Sequence, residues 1–307
     1  MVRCGKIVGE APLGRRAHLP PVAWVGSDAG AANWRADLSR WGASRHGVGV
    51  RSVGVGAILV VAVAALGLLV GAAVEGVVSS YRRHGGFGPW PCCRGCGRRF
   101  DGAAGAPLVG LAMTRRCVAC GRPYGVQALA THLATLLAFV AVGAPRVSSW
   151  PALAVALCEA AVLVALFFID LETRTIPTAF VAALVALGLG GAVLGVGPGI
   201  GAALLGCIVG FVAFGVLALV ARLRYGDGAL GLGDVNLALA IGCIVGYPLV
   251  ALTLAIGVVL GGLGAATVLL CAVVARRRLA DSLRSVIPYG PWMIAALFLV
   301  MARIIAA

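Results

Sequence analysis

Acidic residues are scarce in this chain, 11 in 307, and charged residues of both signs make up only 12%. Lysine is nearly absent: Lys6 stands alone among 25 basic residues, the rest being arginine. So little charge excludes disorder for most of the length, since chains stay unfolded through low hydrophobicity and high charge. A soluble globular domain is excluded by the other side of the same composition, 61% hydrophobic residues with a mean hydropathy of +1.02. Residues 1–51 also lack the apolar core of a secretory signal.

What the chain does have is a series of long apolar runs. A transmembrane helix needs roughly 20 mostly apolar residues, and eight stretches qualify as candidates: residues 56–78, 129–147, 152–168, 178–194, 199–220, 235–245, 249–274 and 287–305. The expected fold is all-α, a polytopic membrane protein of about eight transmembrane helices. The sixth stretch is too short as it stands and must borrow turns from its flanks, running through Tyr247 toward Pro248.

The formal charge of +14 reads as an address. Arg82, Arg83, Arg94, Arg98, Arg99, Arg115, Arg116 and Arg122 crowd the connection after the first helix against one acid, Asp101, which marks that side as cytoplasmic. Such an excess points to the cytoplasm and anionic lipid rather than to nucleic acid. Parity puts residues 1–51 on the other side despite their eight basic residues, and their Pro, Gly, Ala and Ser content predicts disorder.

Four cysteines of the arginine-rich connection read Cys93-Arg-Gly-Cys96 and Cys117-Val-Ala-Cys120, two CxxC pairs separated by 20 residues. Two knuckle turns at this spacing can close a tetrahedral zinc, and a site filled by four sulfurs leaves no open position, so its role is structural. Gly97 and Gly121, one after each pair, ease the backbone around the metal. Disulfides are the competing reading, disfavoured on a reducing side of the membrane. Cys158, Cys207, Cys243 and Cys271 sit singly in apolar runs and read as plain core residues.

Only five acids lie in or beside the apolar spans: Glu75, Glu159, Asp170, Glu172 and Asp234. An ionisable residue at membrane depth is costly and therefore a functional candidate. Asp170 closes the third helix ahead of Ile176-Pro177, and Asp234 opens the sixth behind Gly231 and Gly233, both on the arginine-rich side at one depth. Held close, two carboxylates cannot both ionise; one keeps its proton to polarise a carbonyl while the other activates water. Taken singly, each Asp also reads as a solvated cap at a helix end. Pro177 suits a helix start, and the glycines allow close backbone approach. Glu159, 11 residues before Asp170, shares its helix face and reads as a packing carboxyl.

These residues resemble the prepilin peptidases, or type IV leader peptidases, of the GxGD class of membrane aspartic proteases. Asp170 followed by Ile176-Pro177 is similar to the family's first catalytic motif, Gly231 to Asp234 to its GxGD motif, and Ile287-Pro288-Tyr289-Gly290-Pro291 to its segment before the last helix. The CxxC pairs match the bacterial branch. The resemblance implies a protein of the bacterial inner membrane, with Asp170 and Asp234 as a catalytic pair facing the cytoplasm. Its substrates would be type IV prepilins or pseudopilins, cut after the glycine that ends a basic leader. Many members then methylate the new amino terminus with S-adenosylmethionine.

Under this reading the chain divides into an N-terminal extension 1–55, a first transmembrane helix 56–78, a cytoplasmic cysteine-rich loop 79–127 and a catalytic membrane core 128–307. The chain departs from the family at several points. Asn236 stands where a lysine is common, His132 where an acid is usual, and Glu75 where an asparagine is expected; Arg122-Pro123-Tyr124 replaces Arg-Tyr-Pro. Those near the first cytoplasmic loop bear on methylation more than on proteolysis. A presenilin-like intramembrane protease would carry a terminal Pro-Ala-Leu motif in place of Ile287 to Pro291. A scaffold or transporter gives no reason for two acids at one level beside GxGD, and no internal repeat of broken helices is found.

Overall fold

Apolar runs of this length place their backbone polar groups where lipid offers no partners, and helices satisfy those groups within the segment. The computed structural model describes residues 51–84, 93, 96–98, 117, 119–121, 126–226, 230–274 and 289–306. Among the described residues there are eight α-helices, a 3-10 turn and no strand: α1 Arg51–His84, α2 Val126–Gly143, the turn Ala144–Arg146, α3 Trp150–Thr173, α4 Thr178–Val193, α5 Ile200–Tyr225, α6 Leu232–Val245, α7 Leu249–Val274 and α8 Gly290–Ala306. A described helix thus falls on each expected apolar stretch. The extension 1–50 and most of the loop after α1 lie outside the described residues.

Five helices are long and apolar enough to cross a membrane, namely Gly56–Arg82, Ala128–Arg146, Trp150–Thr173, Ile200–Tyr225 and Leu249–Cys271. Three are apolar but shorter, Thr178–Val193, Leu232–Val245 and Gly290–Ala302. The chain is a multi-pass membrane protein built on these helices. The side chains turned outward fit a lipid solvent: Ile208, Val212, Val216, Leu219 and Leu223 of α5 are all exposed.

The expected extension of the sixth helix toward Pro248 does not occur. Helix α6 stops at Val245 because Gly246 takes a positive φ of 70° and returns its N–H to the Gly242 carbonyl at 2.8 Å. The added turn comes at the other end, where Gly231 is the N-cap and Asp234 falls in the first turn. At about 1.5 Å per residue its 14 residues span about 21 Å. A helix this short survives by being enclosed: Leu237, Ala238, Ala240, Ile241 and Cys243 are all fully buried.

Glycine makes that enclosure tight. A Cβ on Gly242 would strike the Gly206 carbonyl of α5, a Cβ on Gly206 would strike that of Gly242, and one on Gly210 would strike Ala238. Small residues four apart on both helices let the backbones touch, the usual solution where lipid supplies no hydrophobic drive. Cys207 and Cys243, expected as plain core residues, are joined by a disulfide across this contact with their Cα atoms 4.9 Å apart. Cys158 and Cys271 are exposed rather than core residues. Their places on apolar helices make them apolar surface, which in lipid serves a small thiol as well as a core does.

Candidate active site and cysteine cluster

Helix α3 runs one turn beyond its expected end, so Asp170 lies inside its last turn. Arg174 ends the helix in the left-handed conformation, φ 56°, and its N–H closes on the Asp170 carbonyl at 2.9 Å. Thr173 Oγ1 donates to the Ile169 carbonyl at 2.8 Å, tying the same turn. Glu172 forms an ion pair with Arg82 of α1 at 3.5 Å. With its main chain thus fixed, Asp170 keeps only 5% exposure, which rules out a solvated cap. Its Oδ2 makes no hydrogen bond among the described residues.

Asp234 is at the third position of α6, half-buried. Its amide donates to the Gly231 carbonyl at 3.1 Å, and its carboxyl reaches back to the Gly231 backbone N–H, the carboxyl half of a capping box. Capping and proximity to the other acid coexist here, because Asp170 and Asp234 lie within charge range of each other. Two acids 64 positions apart, on α3 and α6, are therefore brought together at one end of the bundle (234 − 170).

Glycine lines the approach between them. A Cβ on Gly290 would lie 2.6 Å from Asp170 Oδ2, and the Gly290 backbone N–H faces that carboxyl. Ile176 joins the three motifs: a Cβ on Gly233 would stand 3.0 Å from its Cβ, and one on Gly290 would stand 3.3 Å from its Cδ1. Pro177 is buried as the N-cap of α4 rather than its first residue, with φ −65° and its carbonyl accepting from Phe180 at 3.1 Å. Pro291 falls at the second position of α8, where its missing N–H leaves nothing unpaired. Pro288 lies outside the described residues.

Two neighbours of the pair are only motif letters in the sequence. Ile176 is one. Tyr289, at the entry to α8, is the other: its ring packs on Phe214 with centroids 6.0 Å apart, and it lies within charge range of Asp234. The sole advance signal for either is its place beside a motif residue. Glu159 is buried as expected for a packing carboxyl, with Arg146 as its charged neighbour. His132 is buried on α2 with Nδ1 2.7 Å from the Ala128 carbonyl.

The four cysteines of the two CxxC pairs converge. Cys93 and Cys120 bring their sulfurs to 3.5 Å, Cys96 and Cys117 to 3.7 Å, and all four lie within 4.8 Å of one another. Thiolates about 2.3 Å from a tetrahedral zinc would stand about 3.8 Å apart, so the set fits a metal ion of that kind. Each pair is wound by the same turn. The Gly97 N–H meets the Cys93 carbonyl and the Gly121 N–H meets that of Cys117, both at 2.8 Å, with φ of 75° and 68° at the glycines. A knuckle needs that positive φ, which glycine adopts freely. Backbone N–H groups of Ala119 and then Cys120 hold the Cys117 thiol down to about 6, favouring the thiolate that binds metal.

No match was found among curated proteins or among solved structures. A family model does match, that of the type IV leader peptidase family, over residues 157–266. The matched stretch contains Asp170, Ile176, Pro177, the Gly231 to Asp234 turn and the α5–α6 glycine contact. Residues 157–266, the stretch that holds both Asp170 and Asp234, are thus similar to the type IV leader peptidase family.

Proposed function

We propose that this chain is an aspartic endopeptidase that removes the basic leader of type IV prepilins or pseudopilins, with Asp170 and Asp234 as its catalytic pair. The observation that carries the reading is that two carboxyls from separate helices lie within charge range, each against a glycine backbone, and that both acids fall in the segment matched by a peptidase family. Water held between the carboxyls attacks the scissile carbonyl carbon and gives one proton to the ionised acid. The protonated acid gives its proton to the carbonyl oxygen, forming a neutral diol. Collapse of the diol breaks the C–N bond as the leaving nitrogen takes a proton back from the pair.

The surroundings suit a substrate that keeps its apolar helix in lipid. Leu171 beside Asp170 is 45% exposed and Leu232 beside Asp234 is 78% exposed, so apolar surface borders the pair. In this reading the arginine-rich side faces the cytoplasm of a bacterial inner membrane, and the leader is cut there. The cysteine cluster holds a structural zinc in a segment too arginine-rich to build a core. We propose hydrolysis alone; methylation with S-adenosylmethionine finds no support among the described residues.

Asp170→Asn and Asp234→Asn each remove one ionisable oxygen at nearly constant volume. Each variant is expected to melt like the wild type and to leave a co-expressed prepilin unprocessed on an immunoblot. Wild-type processing by either variant would remove the pair from the mechanism.

A further inference from the structure

The Tyr289–Gly290 dipeptide reaches both acids. Gly290 abuts Asp170 and Tyr289 lies within charge range of Asp234, so the phenol is carried on the same end of the bundle as both acids. Its ring is held on two sides. A Cβ on Gly261 of α7 would come 2.7 Å from Tyr289 Cε2, and Phe214 of α5 lies against the ring face at a 47° tilt. The Tyr289 carbonyl accepts from the amides of Trp292 at 3.1 Å and Met293 at 3.3 Å, which fixes its main chain as the start of α8. Packing of this kind explains a large aromatic ring here. The packing of the ring makes no use of the hydroxyl.

Resting on the peptidase reading, we propose that the Tyr289 hydroxyl is a catalytic residue, a hydrogen-bond donor to the carbonyl oxygen of the scissile peptide bond. The donor role requires a protonated phenol. Burial, and then the charge of Asp234, push Tyr289 above its usual value, so the proton is kept at neutral pH. No proton leaves the phenol in the reaction. The proton transferred to the carbonyl oxygen comes from the acid pair, and Tyr289 stabilises the charge that grows on that oxygen as the water bond forms. A fixed donor aimed at developing charge lowers the barrier more than it tightens ground-state binding, so its removal reads in kcat rather than in KM.

The test uses the full chain in detergent and a synthetic peptide with a basic leader, a glycine and an apolar helix. Tyr289→Phe keeps the ring on Gly261 and Phe214 and removes only the hydroxyl. The expected result is a fall in kcat of about ten- to hundredfold with KM within about twofold and an unchanged melting temperature. A kcat within about twofold of wild type, or a loss confined to KM, overturns the proposal. Should the Phe variant not fold, 4-fluorophenylalanine at position 289 keeps the ring and nearly the volume of the hydroxyl but cannot donate; the same fall in kcat is expected, and a kcat within about twofold of wild type overturns the proposal. Asp170→Asn and Asp234→Asn run alongside: an inactive wild type sinks the peptidase reading itself, whereas active wild type, inactive Asn variants and a fully active Phe variant sink only the role of Tyr289.

Discussion

Gly290 stands so close to Asp170 that a Cβ added to it would lie 2.6 Å from Oδ2. The same Cβ would be 3.2 Å from Asp170 Cγ and 3.3 Å from Ile176 Cδ1, so it has no free direction in which to retreat. Gly290→Ala is therefore expected to push the Asp170 carboxyl out of line with Asp234. A displacement of about 1 Å in a reacting group costs about a hundredfold in rate, and that is the expected loss of prepilin cleavage. Steady-state cleavage of a leader peptide by the purified variant checks it. Rates within about twofold of wild type would mean that Gly290 only spaces the helix.

Ile176 is the complementary case, a side chain that fills where glycine leaves room. It touches the positions of Gly233 and Gly290 together, so it sets the distance between the turn that holds Asp234 and the helix start that faces Asp170. Ile176→Ala opens a gap between those turns. The residue is only half-buried, so the stability loss should fall at or below the low end of about 2 kcal/mol seen for core Ile→Ala changes. Activity is expected to fall about tenfold or more. Thermal melting and cleavage rates measured on one preparation separate the two effects; a large melting loss with full residual activity would show that Ile176 serves the core alone.

Much of this site could be read in the sequence because its chemistry sits in short local motifs. Asp170, Asp234 and the two CxxC pairs announce themselves by residue type and spacing, and apolar length finds the eight helices seen among the described residues. The boundaries of α6 could not be read that way. A hydropathy count drops Gly231, Gly233 and Asp234 as polar or neutral, whereas a helix start welcomes an acid in its first turn, where the dipole favours it. Tyr289 and Ile176 were also hidden, since an aromatic or a β-branched residue in a motif looks the same whether it packs or touches substrate. The Cys207–Cys243 bond joins positions 36 apart on two helices, and it becomes visible only once the helices are known to touch at Gly206 and Gly242.

That α5–α6 contact supports a stability prediction with an internal control. A Cβ on Gly242 has backbone in its way on the facing helix, and neither helix can yield without separating. Gly242→Ala is expected to lower stability by about 1–3 kcal/mol, the usual cost of overpacking. Gly215 on α5 meets nothing within 4 Å, so Gly215→Ala meets no clash and gains helix propensity, about 1 kcal/mol at most. Differential scanning fluorimetry in detergent should show the first variant melting below wild type and the second at or above it. Equal melting of the two would mean that the helices are not in backbone contact.

The cysteine cluster gives a prediction whose sign follows from one thiol. Cys117 is held at about 6, below its ordinary 9.0, chiefly by the backbone N–H of Ala119 and then of Cys120. A thiol depressed in this way gives up its proton to a metal readily at neutral pH, and a bound metal holds it ionised further, so protons displace the metal only on the acid side, below about 6. Protons then compete with zinc for the sulfurs, and the ion should leave on the acid side rather than the alkaline side. Elemental analysis of the full chain is expected to find one zinc per chain at neutral pH, falling steeply below about pH 6. Cys117→Ser removes one of the four sulfur ligands and should yield metal-free protein already at neutral pH. Zinc retained by that variant, or a wild-type chain that is metal-free and fully active at neutral pH, would show that the four sulfurs meet for some reason other than a metal.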